Sequence, residues 1–446
     1  MNAHVAPGRL QSVAITLRWP GAGRIVARTA GFNVASTIAA GLGGVLLART
    51  VGPTVRGEYA AITAWFSIAL MVGAMGQPAA VCYYVASDPL HARHYVATSR
   101  AVTLTTGAVA LVGGVMLAPV LSGGIPSVTT GYRIAFASSI FAFVGASYTF
   151  SLQARDLRRW NTVSLSQPLF SLLGIAALWA AHLLTLQNAL IVLAASMLLQ
   201  LGWAYRCCRS TDLAPGRMQM SLIRPLTTYG IAQIAALTPA ALNAQLDQLI
   251  LSQIAPPADL GRYAIAVSLT SLPIPLVSAI GHVAFPTLAA RRVVTEATRR
   301  LQWLAVFASA GLATAILVPF ALVAYWLLPV IFGAAYTGAV PLLWILTPGA
   351  IFLACGQVVG DLLRGRNHPS VVAWAQGLAA VFTVILLIAL LPVIGVAGAA
   401  VASTVSYGVA LAAMLRALGR LPRHARGNGP IVAGLGNTRI GGSDLQ

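Results

Sequence analysis

The sequence predicts an all-α polytopic membrane protein with about twelve transmembrane helices in two six-helix lobes. Three observations carry this. Apolar residues make up 58% of 446 residues at a mean hydropathy of +0.81, while charged residues make up 8%. A soluble domain uses about 25% charge to cover its surface, so an ordinary globular enzyme is excluded. The apolar residues also fall in runs of about 20, the length that crosses a hydrocarbon core as helix. A closed barrel would instead need short alternating strands, and none are visible. Third, the charge is sorted by side.

The runs give spans at 29–48, 58–85, 101–121, 132–152, 163–183, 187–205, 225–251, 263–288, 303–328, 339–361, 371–391 and 395–415. All 28 basic residues are arginine, and with the N-terminus inside, 24 of them lie on the inner side. Only Arg49, Arg56, Arg133 and Arg262 fall outside. One missed helix would invert every later loop and spoil this asymmetry, so it supports both the span count and cytoplasmic termini. The net charge of +19 is then a topology signal and an attraction to anionic lipid headgroups, and nucleic acid is not an expected partner.

Residues 1–28 are a basic cytoplasmic segment with no cleavable signal pattern. The first span holds Asn33, Ser36, Thr37 and several glycines, suiting either a close packing interface or a cavity wall. The second is 28 residues long and holds Gly73, Gly76, Gln77 and Pro78, so a tilt or kink is expected. His91 and His94 on the following inner loop have only Asp88 nearby, and no metal site is expected. Spans five and six are plain scaffold. The connection 206–224 divides the lobes 29–205 and 225–415, and the tail 416–446 reads as basic and disordered.

Span seven breaks the apolar pattern with Gln233, Asn243, Gln245, Asp247 and Gln248. A buried carboxylate is costly unless paired or wet, so Asp247 serves substrate, ion or gate, or else pairs near the interface, for instance with Arg262. Span eight carries Pro273, Pro275, Gly281, His282 and Pro286 and should bend. Its loop 291–300 is strongly basic, an amphipathic turn along the membrane face. Asp361 ends span ten beside Arg364 and Arg366, as an interfacial ion pair or a gate. Cys82, Cys207, Cys208 and Cys355 lack metal-ligand spacing and read as small hydrophobes. No catalytic motif or soluble domain is present, so neither enzyme, cofactor nor metal is expected.

A faint repeat ties the halves together. Residues 43–60, GGVLLARTVGPTVRGEYA, return at 247–264 as DQLILSQIAPPADLGRYA, a shift of 204. Leu47 falls on Leu251, Pro53 on Pro257, Gly57 on Gly261, Tyr59 on Tyr263 and Ala60 on Ala264. Both copies sit where the first helix of a lobe meets the second, as a transporter of two equivalent halves requires.

The stretches LLARTVGPTVRGEYAAITAWFSIALMVGAMGQPAAVCYYVA, LQARDLRRWNTVSLSQPL and LDQLILSQIAPPADLGRYAIAVSL through AFPTLAARR resemble the Wzx-type polysaccharide flippases of the multidrug/oligosaccharidyl-lipid/polysaccharide (MOP) exporter superfamily, over roughly residues 25–415. The resemblance implies a MATE/MOP-like V of two lobes around a central cavity in the bacterial plasma (inner) membrane. It also implies transfer of polyprenyl-diphosphate-linked sugar units to the outer face, coupled to an ion gradient or membrane potential. A diphosphate headgroup needs cationic groups along a shielded path. Arg28, Arg49, Arg56, Arg133 and Arg262 are the candidates, although an outer arginine can equally snorkel to headgroups. Asn33, Gln77, Gln233, Asn243, Asp247 and Asp361 are the candidate cavity, ion or gating residues. Expected partners are the lipid-linked glycan and anionic lipids, with a polysaccharide polymerase or glycosyltransferases as further candidates; a monomer is expected. The alternatives are a lipid II flippase, a multidrug or cation antiporter of the same superfamily, and a non-transport member of a polysaccharide assembly complex.

Overall fold

The computed structural model describes residues 22–214, 216–278, 280, 296–366 and 368–420. In order its helices are α1 (Ala22–Gly73), α2 (Gln77–Ser87), α3 (Ala92–Leu121), α4 (Pro126–Ala137), α5 (Ser139–Arg155), α6 (Leu157–Ala180), α7 (Leu186–Ser210), α8 (Ile223–Asn243), α9 (Leu246–Ile254), α10 (Pro257–Thr270), α11 (Glu296–Phe332), α12 (Ala339–Gly365), α13 (Pro369–Ile394) and α14 (Val396–Arg420). Among the described residues ten stretches are individually long and apolar enough to cross a membrane. The first of these, reaching Gly73, holds two crossings, and the broken seventh crossing is not among the ten, which gives twelve.

The breaks explain where the helices depart from simple apolar runs. Within α1 a single residue, Gly52, leaves the helix at φ 74° and ψ 177°, and Pro53 starts the next stretch. That backbone region is open essentially to glycine alone. The turn expected at 49–57 is therefore a one-residue kink between two helices. The second crossing is cut at Ala74–Gly76, where Met75 and Gly76 take φ of 45° and 64°. The fourth crossing bends at Ser138 between α4 and α5. The seventh is interrupted at Ala244 and Gln245, and the eighth turns at Ser271–Pro273. Gly281, His282, Pro286 and the basic stretch 291–295 lie outside the described residues, as do residues 1–21 and 421–446.

Lipid offers no hydrophobic drive between helices, so they hold by close packing, and the outward side chains stay apolar. Val109, Trp326 and Val393 are accordingly 72%, 69% and 77% exposed. One core of the first half gathers Val81, Val96, Leu152, Val163 and Cys208. A second, toward its opposite end, gathers Ile62, Phe66, Tyr132, Phe136 and Leu190. The second half has its own around Val358, Leu362, Val372 and Met414. A further cluster crosses between halves, joining Ala48, Ala60 and Ala61 to Leu251, Leu260, Tyr263 and Tyr336.

The start of α8 packs on the first half: Leu226 is buried in the first of these cores, and Tyr229 stacks on Tyr83 at 4.6 Å. The connection before it lies along the start of α3, where Arg93 Nε donates to the Asp212 carbonyl at 3.0 Å and Gly216 N to the Arg93 carbonyl at 3.1 Å. The small residues of the first span are scarcely used for close approach. Gly31, Gly41 and Gly44 would meet nothing within 4 Å if given a Cβ, and only Gly43 rests on α6, against Leu172.

Candidate functional site: a polar cavity beneath a glycine seam

The two copies of the repeat close on one another. A Cβ on Gly57 would lie 1.7 Å from the Pro257 carbonyl oxygen, and a Cβ on Gly261 would lie 2.0 Å from that of Pro53. Since Pro53 and Pro257, like Gly57 and Gly261, are matched positions, the contact is reciprocal about a pseudo-twofold axis. Backbones this close require residues without a Cβ. Trp65 Nε1 donates to Ser252 Oγ across the same seam at 3.0 Å. Tyr336, buried in the turn between α11 and α12, donates to the Ala48 carbonyl at 3.1 Å. Burial pushes that phenol up to about 12, while the neighbouring Arg56 and Arg262 guanidiniums pull it down. A second backbone contact, Gly76 against Gly230, joins α2 to α8 roughly 28 Å along the helix from the seam at 1.5 Å per helical residue.

Behind the seam, within the second half, lies a cavity of about 570 Å³ lined by α8, α9, α10, α12, α13 and α14. It follows α12 from Leu346 to Arg364, about 27 Å of helix. At its end nearer the seam Asp247, 2% exposed, accepts hydrogen bonds from the Tyr263 hydroxyl, from Ser403 Oγ at 3.0 Å and from the Gln248 N–H at 2.7 Å. The break at Ala244–Gln245 directs this carboxylate inward from the first turn of α9. Just before the break, Asn243 accepts from Thr383 Oγ1 at 2.8 Å and faces Gln376 at 3.5 Å. At the opposite end Asp361 pairs with Arg364 at 2.9 Å, three residues along α12, so the pair is set by helix geometry.

The remaining candidates are scattered rather than gathered along one path. Arg49 is exposed and donates to the Val330 carbonyl at 3.0 Å, near the end of α11. Arg56 lies over the Tyr59 ring at 5.6 Å, with its buried Nε unsatisfied. Arg262 is held by Asp259 at 2.9 Å and by the Ala335 carbonyl at 3.2 Å, so Asp247 has Tyr263 and Ser403 for partners instead. Arg133 is exposed on α4, and Arg28 is exposed with its guanidinium 5.7 Å from the Phe32 ring. Asn33 is exposed on the first half of α1, before the Gly52 kink. Gln77 is fully buried at the α2 start, with neither amide atom bonded. Gln233 lines a separate apolar cavity of about 370 Å³ beside the Gly76 break. His91 bonds Asp88 at 2.9 Å, and His94 meets the Arg217 carbonyl at 2.9 Å.

Residues 24–291 match the family described as polysaccharide biosynthesis protein. The chain belongs to that family. Among curated proteins no sequence match was found. This family member shares its fold with solved transporters of the MOP superfamily. An inward-facing multidrug resistance MATE family transporter superposes at a TM-score of 0.73 and 12% identity, covering 86% of this chain and 94% of its own. The lipid II flippase MurJ in an inward closed conformation gives 0.74 at 13% identity, covering 88% of each chain. An outward-facing MATE family transporter gives 0.62 at 14%, covering 89% and 95%. The architecture is thus the one these solved transporters share.

For a member of this family, the cavity wall holds residues that the sequence did not single out as site residues. Arg364, Gln357, Gln376, Ser403 and Tyr407 come from three helices. They lie at separated positions on these helices, and no local pattern marks the cavity they line. Arg364 had the only readable signal, an arginine three positions after Asp361 on the same helix face.

Proposed function

We propose that this polysaccharide biosynthesis family member is a flippase. It moves a polyprenyl-diphosphate-linked oligosaccharide from the cytoplasmic to the outer face by alternating access, with both termini cytoplasmic. The observation that carries the reading is a polar cavity with the seam toward one end and Arg364 at the other; with cytoplasmic termini Arg364 faces the cytoplasm. A diphosphate entering there competes with the Asp361 carboxylate for a guanidinium whose fork suits paired phosphate oxygens. Sugar hydroxyls find amide and hydroxyl partners at Gln357, Gln376 and Ser403. The inner half of α1 rests on α6 and leaves its other side open among the described residues, so an isoprenoid tail can stay in lipid while the headgroup enters. Asp247 is the group suited to couple an ion or proton, being a buried carboxylate bonded to hydroxyls at the cavity's outer end. The outer arginines act in this scheme after opening, when Arg56 and Arg262 leave Tyr336 and face departing phosphate.

The test is translocation of a fluorescent polyprenyl-diphosphate-linked glycan in reconstituted vesicles. Transfer by the parent is expected, with Arg364→Ala at least tenfold slower. No transfer of any such glycan by the folded parent protein would sink the proposal.

A further inference from the structure

We infer that the outer seam carries a site for one alkali cation, sodium or potassium, built around Glu58. The residue follows Gly57 and lines a cavity of about 170 Å³ whose walls come from both halves. Ser122 and Tyr132 are contributed by the first half and Gln253 by the end of α9, where the neighbouring Ser252 Oγ is already taken up by Trp65, Gln253 and the Leu249 carbonyl. Two groups here are unsatisfied. Among the described residues Glu58 has no ion-pair or hydrogen-bond partner. The Tyr132 hydroxyl, on a residue 1% exposed, has none either.

The repeat supplies an independent comparison. Shifted by 204, Glu58 falls on Arg262. In the second half Arg262 brings its own positive charge to the turn between the third and fourth crossings, bridging Asp259 and the Ala335 carbonyl at 2.9 and 3.2 Å. In the first half the equivalent turn, between α3 and α4, is faced by a carboxylate. At this matched position the second half carries its own cation, whereas the nearest first-half guanidinium, Arg56, lies over the Tyr59 ring and near Tyr336 and makes no bond to Glu58 among the described residues.

The donor chemistry selects the ion. A carboxylate beside hydroxyl and amide oxygens is a hard-oxygen set, unsuited to soft or imidazole-preferring metals. Among the described residues no group of three His, Cys, Asp or Glu side chains comes together, so one carboxylate supplies one negative charge. That balances an alkali cation, whereas calcium sites gather several carboxylates. About 170 Å³ also holds an ion with several waters, each taking about 30 Å³. Because the walls belong to different halves, the ligands assemble only while Gly57 and Gly261 meet. A bound cation therefore stabilises the outer-closed state, and closure in turn tightens cation binding.

The full chain is tested in vesicles without glycan, with spin labels at Ser127→Cys and Thr337→Cys in a Cys82→Ser background. Distances are read in sodium, potassium or choline chloride at equal ionic strength and fixed pH. An alkali cation is expected to raise the closed-to-open ratio by about fivefold or more. Glu58→Gln should abolish this response, and Tyr132→Phe should weaken the apparent cation affinity about fivefold, the worth of one oxygen contact. The response should persist with Asp247→Asn, which separates it from the cavity carboxylate. Equal behaviour in choline would show screening alone and overturn the site, as would a full sodium response in Glu58→Gln. If Glu58→Gln melts before measurement, Tyr132→Phe decides: unchanged cation affinity in that variant overturns the site. Because no glycan is present, the outcome stands apart from that of the translocation assay.

Discussion

Replacing Gly57 by alanine should jam the glycine seam open. The added methyl would sit 1.7 Å from the Pro257 carbonyl oxygen, 2.7 Å from its carbon and 2.9 Å from Gly261 N. All three are backbone atoms, so no rotamer change relieves the clash. A carbon normally approaches an oxygen to about 3.3 Å, so the helices must part by roughly 1.6 Å. A gap of even 0.5–1 Å forfeits about a quarter to a half of each dispersion contact it opens. Overpacking of this kind costs about 1–3 kcal/mol, and an unyielding backbone contact belongs at the upper end. The cost falls on the closed state alone, so about 3 kcal/mol shifts the closed-to-open ratio roughly a hundredfold. The Ser127–Thr337 spin-label pair reads this as a move to longer distances. Gly44→Ala is the control, since a Cβ there meets nothing within 4 Å. A Gly57→Ala distribution matching the parent would refute the reasoning.

Three further outcomes are expected. Arg364→Lys should recover part of the translocation lost in Arg364→Ala, because it restores the charge without the fork; equal loss in both would remove bidentate phosphate contact from the path. Tyr263→Phe takes a hydrogen bond from the buried Asp247 carboxylate and should cost about 1–3 kcal/mol. Thermal melting in detergent measures that, and an unchanged midpoint would show the bond carries no stability. Cysteines at Ser127 and Met218, both exposed, should label from opposite faces of sealed vesicles; labelling from one face would overturn the assigned sidedness.

The crossings were legible because hydrocarbon thickness imposes run length on the sequence itself, and the arginine sorting checked their number. Breaks inside crossings were harder. Gly76 and Pro78 signalled trouble in the second span, but tilt, kink and full interruption share those residues, and only the backbone angles at Met75 and Gly76 decide for interruption. The cavity was half visible. Asp247 and Asp361 stood out as acids in apolar runs, whereas Arg364, Gln376 and Ser403 line the same cavity only through helix packing. The outer arginines show the limit of counting charges. Arg49 finds its acceptor on Val330, 281 residues away, and nothing near Arg49 in sequence announces that carbonyl.

The repeat is the feature in which sequence and geometry explain each other most fully. Its five identities are largely the contact residues of the seam and its core. Gly57 and Gly261 admit the opposing backbone, and Pro53 and Pro257 present the carbonyls they meet. Leu47 and Leu251 are 3% and 0% exposed, and Ala60 and Ala264 are 3% and 4% exposed. Positions outside the reciprocal contact have diverged in charge, with Gly43 matched to Asp247, Arg56 to Leu260 and Glu58 to Arg262. A shared contact also dictates how substitutions combine. Gly57→Ala and Gly261→Ala each part the same two helices, so once one methyl has separated them the second meets relaxed neighbours. The double variant should shift the closed-to-open ratio about as far as either single one, a strong departure from the additivity of distant sites. Spin-label distances on all four members of the cycle measure it. Full additivity would mean that the two glycines close separate gates, and the pseudo-twofold seam would not be one surface.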